Sequence, residues 1–177
     1  MRRKQKLVVV CDSSALIPLS LINQLHLLEE LYGGVFIPPG VHDEVVRRGG
    51  GRAGAEEVQN APFIRVEPLR DPRPIALYTG ELSPEDAEVL VLAKEQNADV
   101  ILTRDRGLRR RARREGVITI TVLALFLDAK RAGFISEVKP LLDELRSKGV
   151  LIREGVYQET LRQAGELPRG RRGRNVR

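Results

Sequence analysis

The sequence has no tryptophan, one cysteine, two histidines and 4% aromatic residues, and each scarcity excludes something. A single cysteine, Cys11, cannot form an intramolecular disulfide. Its place in an apolar run makes it a small buried side chain rather than a nucleophile. No His/Cys spacing suggests zinc. His26 lies in an apolar helical stretch and His42 beside Pro39-Gly40, neither with partners at ligand spacing. The triple glycine Gly49-Gly50-Gly51 lacks the Lys-Ser/Thr that would make it a phosphate-binding loop. No apolar stretch reaches the 18 or so residues of a membrane span. The apolar run after the basic residues 1–6 breaks at Asp12, too short for a secretory signal. A cytoplasmic protein with no membrane partner is expected.

A content of 42% hydrophobic and 31% charged residues fits a soluble globular protein, and 177 residues suit one domain with a real core. The expected division is a single domain over residues 1–166, with C-terminal helices from about 135, and a flexible basic tail over 167–177. The net charge of +6 is uneven. Residues 104–114 hold seven arginines and one acid, and residues 167–177 hold five arginines and none, so the rest of the chain sums to −5. A basic patch and tail on an acidic body suggest a polyanionic partner. A solvated helix face and a loose terminus is the plainer alternative.

Two apolar runs end in acids: Leu7-Val8-Val9-Val10-Cys11-Asp12 and Val100-Ile101-Leu102-Thr103-Arg104-Asp105. Runs so short and so rich in β-branched residues read as strands buried on both faces, as in a parallel sheet. Strands are expected near residues 6–11, 35–37, 63–66, 99–103 and 117–120. Leu16, Leu19, Ile22, Leu25, Leu28 and Leu31 follow a helical period, which predicts one helix from about Ser14 to the Gly33-Gly34 pair. A second helix opens at Pro38-Pro39-Gly40, carries Glu44 and stops at the triple glycine. A short helix is expected near 53–59. Ser83-Pro84-Glu85-Asp86 has the form of a helix start, with a serine cap and an acid at the third position. That helix runs to about Gln96. A basic helix follows over 106–115, then helices over 121–131, 135–147 and 154–164. Strands alternating with helices predict an α/β three-layer sandwich with a central parallel sheet of about five strands and right-handed crossovers.

In an open parallel sheet, function gathers at the carboxyl ends of the strands, where Asp12 and Asp105 fall. Glu44 and Asp86 lie in helical segments that can reach the same edge. Two carboxylates about 5 Å apart repel by roughly 3 kcal/mol at an effective dielectric of about 20, which a divalent cation would relieve. Oxygen ligands of this kind suit Mg²⁺ or Mn²⁺, and such an ion activates water and polarises a phosphate. Each acid also has a plainer reading. Asp12 could cap the following helix, Asp86 could be only a capping-box acid, and Glu44 a solvated helix residue.

These motifs together resemble the PIN-domain family of metal-dependent nucleases over about residues 6–129. Asp12-Ser13-Ser14-Ala15-Leu16 resembles the family's first motif. Glu44 within Val41-His42-Asp43-Glu44-Val45 resembles the second acid. Asp86-Ala87-Glu88-Val89-Leu90 resembles the third motif, and Leu102-Thr103-Arg104-Asp105 the fourth. Residues 123–133 and 138–145 resemble a branch with extra C-terminal helices. The resemblance implies an endoribonuclease that cleaves single-stranded RNA, with Asp12, Glu44, Asp86 and Asp105 as catalytic metal ligands for Mg²⁺ or Mn²⁺. Ser13 and Thr103 would support the acids or the substrate, and Arg106, Arg109, Arg110 and Arg113 would hold backbone phosphates. With few aromatics, base recognition by stacking should be weak. An antitoxin protein is a further candidate partner, and a homodimer the expected assembly. Asp43, Glu81, Glu85 and Glu88 are neighbours that could replace a chosen acid, Glu85 or Glu81 for Asp86 above all. The rival reading is a catalytically inactive module of the same fold that binds RNA or protein. A response-regulator-like phosphoacceptor would need a lysine after a late strand, but Val117-Ile118-Thr119-Ile120 is followed by Thr121-Val122.

Overall fold

The computed structural model describes residues 7–47 and 54–167. Five strands form one all-parallel sheet: β1 (Val9–Cys11), β2 (Val35–Ile37), β3 (Ile64–Val66), β4 (Val100–Leu102) and β5 (Thr119–Ile120). Their order across the sheet is β3-β2-β1-β4-β5. Successive side chains of a strand point to opposite faces, yet Val9, Val10 and Cys11 are all fully buried, as are Ile101 and Leu102. The centre of the sheet is therefore covered on both sides, which is why these strands read as unbroken apolar runs.

The covering helices are α1 (Ser13–Leu21), α2 (His26–Tyr32), α3 (Pro39–His42), α4 (Ala55–Asn60), α5 (Pro84–Glu95), α6 (Arg106–Arg114), α7 (Val122–Ala132), α8 (Lys139–Ser147) and α9 (Glu154–Gln163). Helix α5 packs on β1, β4 and α6, and α2 packs on β2 and α7. The chain winds outward from β1 to β2 and β3, then crosses back to β4 and β5 on the other side of β1. The order thus reverses between β1 and β4, the crevice where open α/β sheets place their ligands.

Two expected elements differ. The single helix predicted from Ser14 to Leu31 is two, α1 and α2, broken at Asn23, whose φ is +54°. Asparagine tolerates this left-handed conformation, and the turn is closed by Gln24 N–H donating to the Leu19 carbonyl at 2.8 Å. The apolar period continues across the break because both helices face the same core. The helix expected over 135–147 begins only at Lys139. Pro140 has no N–H and excludes a preceding helical turn, so it is tolerated only in the first turn. The triple glycine, the stretch 48–53 and the tail 168–177 lie outside the described residues. Gly34 (φ +135°) lets β3 approach, since a Cβ there would stand 2.8 Å from the Phe63 carbonyl oxygen.

The C-terminal helices are tied down by Glu166. Its carboxylate accepts from Val138 N–H at 2.6 Å and Lys139 N–H at 2.7 Å, capping α8, and pairs with Lys130 Nζ of α7 at 2.7 Å. Burial pushes its pKa up, but Lys130 and the two amides outweigh that and hold it below the ordinary value. Such a group adds stability above the unfolded-state pKa of about 4.3, and the stability is lost as pH falls below it. Glu166→Ala leaves the amides of α8 uncapped. It should cost about 1–3 kcal/mol and lower the thermal midpoint by roughly 2–4 °C per kcal/mol at neutral pH, with the deficit shrinking towards pH 3. Melting curves of both proteins at the two pH values decide it; equal midpoints at pH 7 would remove Glu166 from this role.

Candidate active site

Asp12 follows β1 directly and is only 2% exposed. Its extended backbone makes it the N-cap of α1, its carboxylate accepting from Ala15 N–H at 3.1 Å. Two hydroxyls complete its shell. Thr103 Oγ1, at the end of β4, donates to Oδ2 at 2.5 Å, and Ser14 Oγ lies 2.8 Å from both carboxylate oxygens. The expected hydroxyl was that of Ser13. The one that meets Asp12 is Ser14, because the N-cap geometry turns the second helical residue back over the carboxylate. Ser14 Oγ in turn accepts from Arg104 N–H at 2.8 Å, and Thr103 Oγ1 accepts from Asp105 N–H at 2.9 Å. The segment after β4 is thereby stitched to the segment after β1.

Asp105 caps α6 as Asp12 caps α1, accepting from Leu108 N–H at 2.7 Å. A Cβ on Gly107 would stand 3.1 Å from Asp105 Oδ1, so the absent side chain leaves that oxygen approachable. Asp86 sits in the first turn of α5, its N–H donating to Ser83 Oγ at 3.1 Å. Glu44 lies in a π-helical turn, Asp43–Arg47, that continues α3. Wide turns of this kind are frequent at functional sites. The plain capping reading of Asp12 is thus correct, Asp105 proves to be a cap as well, and capping fixes each carboxylate in place.

Charge couples Asp86 to the other acids. Burial raises the pKa of Asp12 to about 7; the Thr103 and Ser14 hydrogen bonds oppose this and the Asp86 charge adds to it. Burial also raises Asp86, opposed by its hydrogen bond with Ser83 and reinforced by the charges of Asp105, Glu44 and Glu85. Asp86 is therefore the common neighbour of the other three. Among the described residues no three acids, histidines or cysteines crowd around a single point closely enough to hold an ion by themselves. Mg²⁺ seldom needs that, because it keeps several waters and binds through one or two carboxylates plus substrate phosphates. The donor set fits such an ion.

The alternative acids are engaged elsewhere. Glu81 pairs with Arg111 at 2.9 Å. Asp43 pairs with Arg47 at 3.4 Å, and Glu88 accepts from Gly40 N–H at 2.9 Å. Glu88, one of the acids that could replace a chosen one, ties the start of α3, and so the segment that leads to Glu44, to α5. Glu85 contributes its charge beside Asp86. On α6, Arg106, Arg109, Arg110 and Arg113 share one face at i, i+3, i+4 and i+7 spacing. Arg111 points elsewhere, bonded to Glu81 and Glu115 and lying 4.9 Å over the Tyr78 ring.

The raised pKa of Asp12 has a signed consequence. In EDTA, the folded protein keeps the Asp12 proton between about pH 4 and about 7, where the unfolded chain has lost it. Asp12 therefore makes stability fall as pH rises through that window, by at most about 1.4 kcal/mol per pH unit. Asp12→Asn should flatten the fall. Denaturant midpoints at pH 4.5 and 7.5 measure it, and an unchanged difference in the variant would mean that Asp12 ionises normally.

A PIN-domain family model matches residues 8–166, which takes in the C-terminal helices as well as the four motifs. A search of curated proteins found no match. Among solved structures, the chain is similar to a PilT N-terminus domain protein from the hyperthermophilic archaeon Sulfolobus solfataricus P2. That similarity has a TM-score of 0.53 at 18% identity, covering 70% of this chain and 93% of that one, and it concerns the fold. Among the described residues no helix is long and apolar enough to cross a membrane. With the family matched over nearly the whole length, and with acids after β1 and β4 flanking the point where strand order reverses, the chain belongs to the PIN-domain family, whose members are typically metal-dependent nucleases.

Proposed function

We propose that the protein is an endoribonuclease that hydrolyses phosphodiesters of single-stranded RNA with Mg²⁺ or Mn²⁺. The observation that carries this reading is the pair of capping acids on either side of the sheet's switch point, Asp12 after β1 and Asp105 after β4, with Asp86 coupled in charge to Asp12, Asp105 and Glu44. When bound, the ion would supply a Lewis acid that polarises the phosphate and activates water. Carboxylates drawn from Asp12, Glu44, Asp86 and Asp105 would hold it, one or two directly and the others through its waters.

The protein's own part is positioning. Thr103 and Ser14 hold the Asp12 carboxylate in one orientation, so one face of it is spent on hydroxyls and the rest is left for the site. Burial of Asp12 and the α5 helix behind it keep bulk water from the inner side of the cluster. The arginine face of α6 starts one residue after Asp105, where it can hold the RNA backbone beside the reacting phosphate. Hydrolysis requires water to attack phosphorus and the P–O bond to the next nucleotide to break.

One observation favours a second reading. The acids do not close into a three-ligand group among the described residues, as would suit an inactive module that binds RNA through α6. Cleavage separates the two. Wild-type protein should cut a labelled single-stranded RNA with Mn²⁺ and not with EDTA, and Asp12→Asn should abolish cutting while its far-UV spectrum stays unchanged. Mn²⁺ should also raise the wild-type melting temperature more than that of Asp12→Asn, by mass action on the folded state. Wild-type RNA binding with neither cutting nor a Mn²⁺ shift would establish the inactive module.

Replacing Arg109, Arg110 and Arg113 together should weaken RNA binding and lower the log–log salt slope by about 0.7 for each lost phosphate contact. An unchanged slope would make this helix face merely solvated.

A further inference from the structure

A pocket of about 280 Å³ lies beside the acid cluster, between the start of α6, the start of α7 and the segment that joins α8 to α9. Its lining includes Arg104, Arg106, Arg109 and Arg153 and no carboxylate. Among the described residues none of these four arginines has a carboxylate partner within ion-pair distance. The other wall is apolar, formed chiefly by Leu123, Leu151 and Val156. Leu151 is 81% exposed and Val156 40%, so this wall is open to a visitor.

Four guanidinium groups around one small cavity repel one another unless an anion lies among them. A second observation points the same way. Arg109 Nε is buried and has no hydrogen-bond partner. A buried donor without an acceptor is costly, and a small shift of the Arg109 side chain, which lines the pocket, onto an anionic oxygen there would supply one. The wall of the pocket is also fixed in place. Arg104 Nη donates to the Leu151 carbonyl at 3.1 Å, tying the α8–α9 segment to the residue that separates Thr103 from Asp105.

We infer that this pocket binds one nucleotide of the RNA strand next to the phosphate being cleaved, its phosphate among Arg104, Arg109 and Arg153 and its base against Leu151 and Val156. The inference rests on the nuclease reading for its substrate, but it concerns binding alone. Continuity decides for a nucleotide over an acidic protein segment. Arg104 and Arg106 flank Asp105 in the chain, so a strand whose phosphate lies at the acids runs directly into the pocket. Arginine forks pair with phosphate in two parallel hydrogen bonds, and the apolar wall needs an occupant that is flat and poorly solvated on one side. A free sulfate or phosphate would use only the arginines. The C-terminal helices then have a use beyond covering the core: they supply Arg153 and the apolar wall.

The test measures binding of a fluorescent single-stranded RNA, made uncleavable by 2′-O-methyl groups, to full-length protein in EDTA. Arg153 and Leu151 are both exposed, so Arg153→Ala and Leu151→Ser should fold, which unchanged melting temperatures would verify. Arg153→Ala should weaken binding roughly tenfold, as loss of a buried arginine contact does, and lower the salt slope by about 0.7. Leu151→Ser should weaken binding severalfold with the slope unchanged, because it removes a base contact and no phosphate contact. In wild type, inorganic phosphate in the millimolar range should compete only weakly. Wild-type affinity in both folded variants would overturn the inference, whether or not the protein cuts RNA. So would a lower slope for Arg153→Ala with no effect of Leu151→Ser, which is the signature of an anion site without a base. Pocket-dependent binding in a protein that never cuts would sustain this inference and sink the nuclease reading.

Discussion

The hydrogen bond from Thr103 to Asp12, at 2.5 Å, is the contact on which the rest of the structure turns. It joins the ends of two strands distant in sequence and adjacent in the sheet, β1 and β4, which pair through Val9–Val100, Val10–Ile101 and Cys11–Leu102. That pairing creates the switch point, and the bond holds its mouth in one geometry. A carboxylate buried this deeply is costly unless its oxygens are satisfied. Asp12 meets that condition with Thr103, Ser14 and the Ala15 amide, and so can stay where a reacting group must stand.

The same economy recurs around the site. Asp12 and Asp105 each cap a helix and each face the crevice. Ser14 and Thr103 each take part in more than one hydrogen bond, one of them to the neighbouring segment's backbone. Glu88 caps the start of α3 from α5, so that the Glu44 turn and the Asp86 helix move as one body. The acids repel, and local backbone bonds resist the repulsion. A carboxylate that caps a helix beside the crevice is also held where the proposed chemistry would need it, so the capping role and the proposed catalytic one are compatible.

Much of this was legible in the sequence. Strands buried on both faces have an unbroken apolar signature, and the Ser-Pro-Glu-Asp helix start is a local code, so β1, β4 and α5 could be read directly. The four acids stood out because three of them sit at strand or helix boundaries. What was not legible depends on tertiary placement. The break at Asn23 is invisible to an apolar period that continues through it. The choice of Ser14 over Ser13 depends on the turn that a capping aspartate imposes. That Glu81 belongs to Arg111 follows from how α6 lies against the loop before α5. Arg153 is far in sequence from the segment that carries Asp105, and the pocket it lines with Arg104 and Arg106, together with the Arg104–Leu151 bond, shows that the two segments meet in space.

The clasp made by Glu166 has a consequence in time. All four acids have been made once synthesis reaches residue 105, and β5 follows soon after. The carboxylate that caps α8 and holds Lys130 comes far later in the chain. Until residue 166 has been made, the amides at the start of α8 lack the carboxylate that caps them and Lys130 lacks its partner, so the ties between α7 and α8 are complete only when nearly all of the described chain is present.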